Sequence, residues 1–227
     1  MNMEEVKVVS FANQKGGVGK STLTVMAANY LASKGLKVLV VDSDYQGSIL
    51  ALRKMDEAEL GRDYKFNYDV KFCLPKDLEV LMDEYEDKYD IMFIDMPGQS
   101  YGDGLSKLLT LLDYAFIPVK TGDTDVHSSM DFMENIYVAS DIREKCDLPP
   151  LKYHLVINEA EPKTIRFKNL LEFMKMKGYF YNENLVVKKK VSIKDLSNTY
   201  INPVEDKDGE DLKPFLEEIK RLLEINA

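Results

Sequence analysis

The sequence predicts an α/β fold: a doubly wound, mostly parallel sheet with helices on both faces. Three observations predict it. Short β-branched runs recur along the chain, and longer amphipathic segments separate them. The runs are apolar throughout, so both of their faces need cover, which the intervening helices supply through right-handed crossovers. The chain has 227 residues, 45% hydrophobic and 30% charged, enough for one well-buried domain and too few for two large ones.

The elements follow in order. Strands are read at residues 6–11, 38–41, 90–95, 114–119, 154–157 and 185–187. A glycine-rich turn follows the first strand and opens a helix over 21–34, which Gly35 ends. Further helices are read at 77–87, 102–112, 124–145 and 164–177. Residues 61–72 fit no pattern cleanly and are read as an edge strand. Residues 210–227 read as a helix with Leu212, Leu216, Ile219 and Leu223 on one face and Phe215 and Leu222 beside it. Glu217, Glu218 and Glu224 stand against Lys220 and Arg221 there, unlike the cationic face of an interfacial membrane helix, so it is expected to pack on the domain. With no repeat, linker or low-complexity segment, residues 1–227 read as a single domain.

Composition narrows the function classes. Net charge is −9, from 39 acidic and 30 basic residues. Cys73 and Cys146 are far apart, with no CxxC or Cys/His cluster, which argues against a zinc or iron–sulfur site within one chain and for a reducing, cytoplasmic setting. The first residues, MNMEEVKVVSF, do not form a signal peptide, and no apolar run is long enough to span a membrane.

Residues 13–22 read NQKGGVGKST, between a strand and a helix. This is the context a phosphate-binding loop requires. Gly16, Gly17 and Gly19 allow backbone conformations that turn successive N–H groups inward around Val18, and the helix N-terminus adds its own donors. Lys20 is placed to reach the β- and γ-phosphates of a nucleotide, Ser21 to hold Mg²⁺, with Thr22 next to it. The general pattern GxxxxGK[ST] is missed once, at Gln14, and an extra lysine, Lys15, precedes the glycines. That is the deviant form KGGxGK[ST].

Two strands end in carboxylates, VDSDYQG and IDMPG. In a parallel sheet, ligands sit beyond the carboxyl ends of the strands, so these acids should meet the loop. Asp95 follows four apolar residues and is assigned to Mg²⁺. Asp44 is the candidate for orienting the attacking water, and Asp42 for supporting the Mg²⁺ shell. Each aspartate taken alone could equally be a turn former or a helix cap.

FANQKGGVGKST, VDSDYQGS and YDIMFIDMPG together resemble the ParA/MinD superfamily of deviant Walker A P-loop ATPases, most closely its ParA-type partition proteins. The resemblance implies ATP and Mg²⁺ as ligands, hydrolysis to ADP and phosphate, and an ATP-dependent homodimer. It implies that Lys15 crosses to the partner's phosphates, that Asp44 activates water and that Asn158 contacts adenine. It further implies nonspecific DNA binding, a ParB-like stimulating adaptor and a nucleoid-associated location. Two departures stand out: Tyr45 where the family usually has proline, and Met96-Pro97-Gly98 where it usually has a run like Thr-Pro-Pro.

Residues 151–195 carry ten basic and five acidic side chains, net +5 on a chain of −9. Such asymmetry is the footprint of a phosphate-binding face, and Lys188, Lys189 and Lys190 are its densest part. MinD-like positioning on a membrane lacks the cationic tail it would need, while ParA-like positioning of a protein or conjugation complex fits the same motifs.

Overall fold

The computed structural model describes residues 5–61, 63–98, 103–190, 198–205, 207 and 209–225. Lys194 and Asp195, counted in the basic stretch, lie outside them, as do both extremes of the chain.

Seven strands form one sheet: β1 (Lys7–Phe11), β2 (Val38–Asp42), β3 (Asp69–Phe72), β4 (Ile91–Asp95), β5 (Tyr114–Val119), β6 (Lys152–Ala160) and β7 (Val186–Lys188). Their order is β3-β2-β4-β1-β5-β6-β7, and every pairing is parallel. Among the described residues, seven α-helices flank them: α1 (Lys20–Ser33), α2 (Ser48–Leu60), α3 (Leu78–Tyr85), α4 (Asp103–Thr110), α5 (Asp123–Lys145), α6 (Ile165–Met176) and α7 (Lys213–Leu222).

Strand side chains alternate between two cores. Val38, Val40, Val9, Phe11, Phe93 and Phe116 face α1, α2 and α7; Leu39, Val41, Val8, Met92, Ile94 and Ile117 face α3 to α6. Both sets are buried, which is why the strands read as unbroken apolar runs. Phe11 lies 5.4 Å from Phe116 and 6.4 Å from both Phe93 and Phe215, tying the central strands to α7. The α7 face of Phe215, Leu216 and Ile219 is spent in this core.

Two features differ from the sequence reading. Residues 61–72 yield only the four-residue edge strand β3. The helix α2 was not read, because only Ile49, Arg53 and Asp56 of it are buried and its apolar periodicity is weak. Its run of Leu, Ala, Arg, Lys, Met and Glu is the signal that was available, since these residues favour helix. Cys73 is buried, whereas Cys146, just after α5, is exposed.

Helix α2 is tied to the segment after β7 by a buried polar cluster. Arg53 donates through Nε to Thr199 Oγ1 (2.7 Å) and through Nη1 to the Tyr68 carbonyl (3.0 Å), and stacks over Phe66 at 4.0 Å. Asp56 Oδ2 accepts from the Thr199 N–H (2.7 Å) and hydroxyl (2.6 Å). Replacing Asp56 by Ala strands a fully buried N–H, so urea unfolding should show a loss of roughly 1–3 kcal/mol. An unchanged midpoint would mean that the segment is not held by this carboxylate.

Candidate nucleotide-binding site

The phosphate-loop residues lie between β1 and α1. Gly17 and Gly19 adopt φ of 72° and 98°, conformations that side chains disfavour. A Cβ at Gly19 would also collide with the Asn158 amide, so only glycine fits. Two asparagines brace the loop. Asn13, buried, donates to the Pro118 carbonyl and Ser129 Oγ (both 2.9 Å) and accepts from the Lys15 N–H (3.0 Å). Asn158, at the end of β6, donates to the Val18 carbonyl at 2.8 Å. Asn13 was not singled out from the sequence; its place at the end of an apolar strand was the only hint.

Lys20 is buried, and its Nζ donates to the Lys15 carbonyl at 3.3 Å. Burial pulls its pKa down, while Asp95 and Asp44 push it back up. Lys15 and Thr22 are half-buried; Gly16 and Gly17 are exposed at the mouth.

The register pairs Asp42 with Asp95 across β2 and β4, placing both at the carboxyl edge beside the loop. Their environments differ. Asp95 Oδ2 accepts from Ser21 Oγ at 2.7 Å, while its Oδ1 is buried without a hydrogen-bond partner. Burial raises its pKa to about 7; the Ser21 hydrogen bond and Lys20 oppose that, and Asp42 and Asp44 add to it. Asp42 accepts instead from the first N–H groups of α2: Ile49 and Leu50 both donate to Oδ2 at 2.9 Å. Asp44 N–H reaches Asp42 Oδ1 at 3.3 Å. Asp42 thus serves the N-terminus of α2 in the way a cap does. Asp44 closes a local turn, its Oδ1 accepting from the Gln46 N–H at 2.9 Å, and Tyr45 beside it is 76% exposed.

The oxygens present suit Mg²⁺. An orphaned carboxylate oxygen and an adjacent hydroxyl are hard ligands, and Mg²⁺ takes one or two such groups with phosphates and water. Among the described residues no cluster of three or more His, Cys, Asp or Glu could hold a metal by itself.

The basic stretch looks different in three dimensions. Lys190 and Lys188 pair with Asp211 (2.8 and 3.9 Å), and Lys189 with Glu161 (2.7 Å). Asp211 comes from outside residues 151–195, so a count along the chain missed it. Arg166, Lys168 and Lys175 on α6 are exposed and form no salt bridge among the described residues.

Residues 9–226 match the CobQ/CobB/MinD/ParA nucleotide binding domain. The chain belongs to this family. A chromosome-partitioning ATPase Soj from Thermus thermophilus is 52% identical over 44 residues, 19% of this chain and 18% of that protein. An uncharacterized ATP-binding protein of Methanocaldococcus jannaschii is 31% identical over 139 residues, 51% of this chain and 52% of its own. The matched regions therefore span about half or less of these relatives. Among solved structures, a putative plasmid partition protein from Borrelia burgdorferi bound to AMPPNP aligns with TM-score 0.70 and 24% identity, covering 96% of this chain and all of that one. An ATP complex of Cyanothece McdA aligns with TM-score 0.70 and 16% identity, over 98% of each chain. A MinD from Pyrococcus furiosus gives 0.66 and 17%, over 95% and 99%. At these identities the structural likeness concerns the fold, which is that of P-loop nucleotide-binding proteins.

The raised pKa of Asp95 has a sign. The carboxyl titrates near 3.8 unfolded and at about 7 in the fold. Below the lower value it is neutral in both states; above the higher it is charged in both and the burial penalty is complete. Its contribution to stability therefore falls as pH rises through that window. Without nucleotide or divalent metal, the protein should lose stability relative to Asp95→Asn between pH 4.5 and 7.5, by on the order of 2 kcal/mol or more in denaturant unfolding. A pH-independent difference would contradict the burial argument.

Proposed function

We propose that this protein is an ATP-hydrolysing dimer switch that acts in DNA segregation. The observation that carries the reading is a phosphate cradle with two lysines: Lys20 buried within it, and Lys15 at its lip, joined to Lys20 through its own carbonyl. One lysine suffices for a nucleotide bound in one chain. A second, half-buried at the lip, suits phosphates held by a second copy, where it stabilises charge that develops during transfer.

In this reading Gly16, Gly17, Val18 and Gly19 surround the phosphates with backbone donors, and Lys20 neutralises the β- and γ-phosphates. Ser21 and Asp95 would hold Mg²⁺, which would supply further charge neutralisation. Asp42 supports that site from behind by fixing α2. Asp44 orients the attacking water, for which it must leave its present turn. Thr22 sits beside Ser21 on the first turn of α1. Asn158 braces the loop; for it to contact adenine as well, its carboxamide must serve both partners.

DNA binding fits the family neighbours named for partition. Lys188, Lys189 and Lys190 belong to the proposed face, but their acidic partners reduce their pull. The exposed cations of α6, of which Arg166 also lies near Glu161, contribute the larger share, and dimerisation doubles the patch. A ParB-like adaptor would stimulate turnover, and the protein would reside on the nucleoid. Positioning a protein complex uses the same chemistry with another cargo. Membrane positioning is disfavoured because the apolar face of α7 is already buried in the core.

Asp44→Ala should bind ATP, fail to hydrolyse it and double its mass by light scattering. A variant that stays monomeric with ATP would remove Asp44 from this role. In gel shifts, Arg166→Glu with Lys168→Glu should weaken ATP-dependent DNA binding more than Lys188→Glu with Lys189→Glu. Equal or reversed effects would move the interface back to β7.

A further inference from the structure

Asn13 stands between β1 and the loop glycines and is 3% exposed. Its side chain makes three hydrogen bonds. Nδ2 donates to the Pro118 carbonyl on β5 and to Ser129 Oγ on α5, both at 2.9 Å, and Oδ1 accepts from the Lys15 N–H at 3.0 Å. A carbonyl only accepts and a backbone N–H only donates, so these partners fix which way round the carboxamide lies. Ser129 is itself fully buried. The amide nitrogen is thus braced by two elements of the scaffold, while the amide oxygen reaches two residues along the chain to Lys15.

That last bond closes an Asx turn. It holds Lys15 by its nitrogen, while Lys20 Nζ holds the same residue by its carbonyl at 3.3 Å. The two holds are unequal towards a nucleotide. Phosphates would compete with the Lys15 carbonyl for the Lys20 ammonium, since an anionic acceptor makes the stronger bond. Asn13 is uncharged and buried, so its bond outlasts that exchange. The middle of the loop has supports of its own: Gly17 and Gly19 set its turns, and Asn158 donates to the Val18 carbonyl at 2.8 Å. Asn13 bears instead on the residue at the lip.

Resting on the reading of Lys15 as the lysine given to a second copy, we propose that Asn13 is the positioning residue for Lys15. Braced by Ser129 and the Pro118 carbonyl, it fixes the backbone from which the lysine side chain departs. The ammonium is thereby directed to the phosphates of the neighbouring chain. Asn13 touches no nucleotide in this role and acts through Lys15.

The test mixes variant chains. Asn13→Ala should bind ATP within about threefold of wild type and release phosphate roughly 100-fold more slowly, the scale on which a displaced reacting group is felt. Asn13→Ser, whose hydroxyl closes the same local turn more weakly, should recover part of that rate. Mixed with Asp44→Ala, either variant should regain turnover. The Asp44→Ala chain lends a correctly held Lys15 to a neighbour whose own cradle and Asp44 are intact. An Asn13 that merely supported its own cradle would behave differently: ATP binding would weaken, and no neighbour could restore it. A loss of ATP affinity that matches the loss of turnover, wild-type turnover in Asn13→Ala, or no recovery on mixing would each overturn the proposal. Should Asn13→Ala fail to fold by circular dichroism, Asn13→Ser and Ser129→Ala carry the comparison. Each should slow turnover at unchanged ATP affinity and recover on mixing, and the absence of either effect would overturn the proposal. Lys15→Ala is the reference. If it fails to recover with Asp44→Ala, the reading of Lys15 falls and takes this proposal with it. If that pair recovers and Asn13→Ala with Asp44→Ala does not, the role of Asn13 alone is rejected.

Discussion

Two carboxylates, Asp95 and Asp44, act on one buried ammonium, Lys20, at the carboxyl edge of the sheet, and Asp42 presses on both of them. In a poorly solvated site such a group repels itself, and a nucleotide would add more negative charge. Each acid is accommodated in a different way. Asp42 is absorbed by the N-terminus of α2, where the helix offers free N–H groups and partial positive charge. Asp44 is folded into a local turn and reaches the Gly98 N–H. Asp95, also fully buried, shares its carboxyl with Ser21 and is held toward its protonated form. A cation at its orphaned oxygen would reverse that preference. Lys20 is the one buried cation against these acids, which gives a physical role to divalent metal and leaves the lip lysine, Lys15, for the proposed exchange between copies.

Much of this was legible in the sequence because it depends on local rules. The strands were readable because both faces are buried, so no polar alternation interrupts them. The loop was readable because only glycine tolerates the φ of Gly17 and Gly19. Less legible was whatever depends on distant partners. The hydrogen bonds from Asp42 to the start of α2 were not legible, because that helix has one thin buried edge and gave no periodic signal. Lys188, Lys189 and Lys190 read as an open basic cluster, yet Asp211 and Glu161 lie against them. A charge count along the chain cannot show which charges fold back on one another.

The two departures from the family pattern meet at one residue. Tyr45 follows Asp44 directly and is exposed beside the site, and Gly98 donates to Asp44 from β4's end. Proline at position 98 would have no N–H to give. The altered positions therefore bear on how Asp44, the proposed water-orienting residue, is held, while the loop itself keeps its glycines, Lys15, Lys20 and Ser21. Helix α2 extends the same linkage outward. Asp42 holds its first turn, and Arg53 and Asp56 further along it hold Thr199, so one helix touches both the carboxylate edge and the segment at 198–205.

The central claim is that the active site is completed by a second copy. Mixing two variants measures this most directly: Lys15→Ala, which cannot serve its partner, and Asp44→Ala, which cannot hydrolyse its own ATP. Each should be inactive alone. In the mixed dimer the Asp44→Ala chain still donates Lys15 to a neighbour with an intact Asp44, so phosphate release should reappear on mixing and rise with the fraction of mixed dimers. If the mixture stays as inactive as its components while both variants bind ATP and dimerise, Lys15 acts within its own chain and the account is wrong.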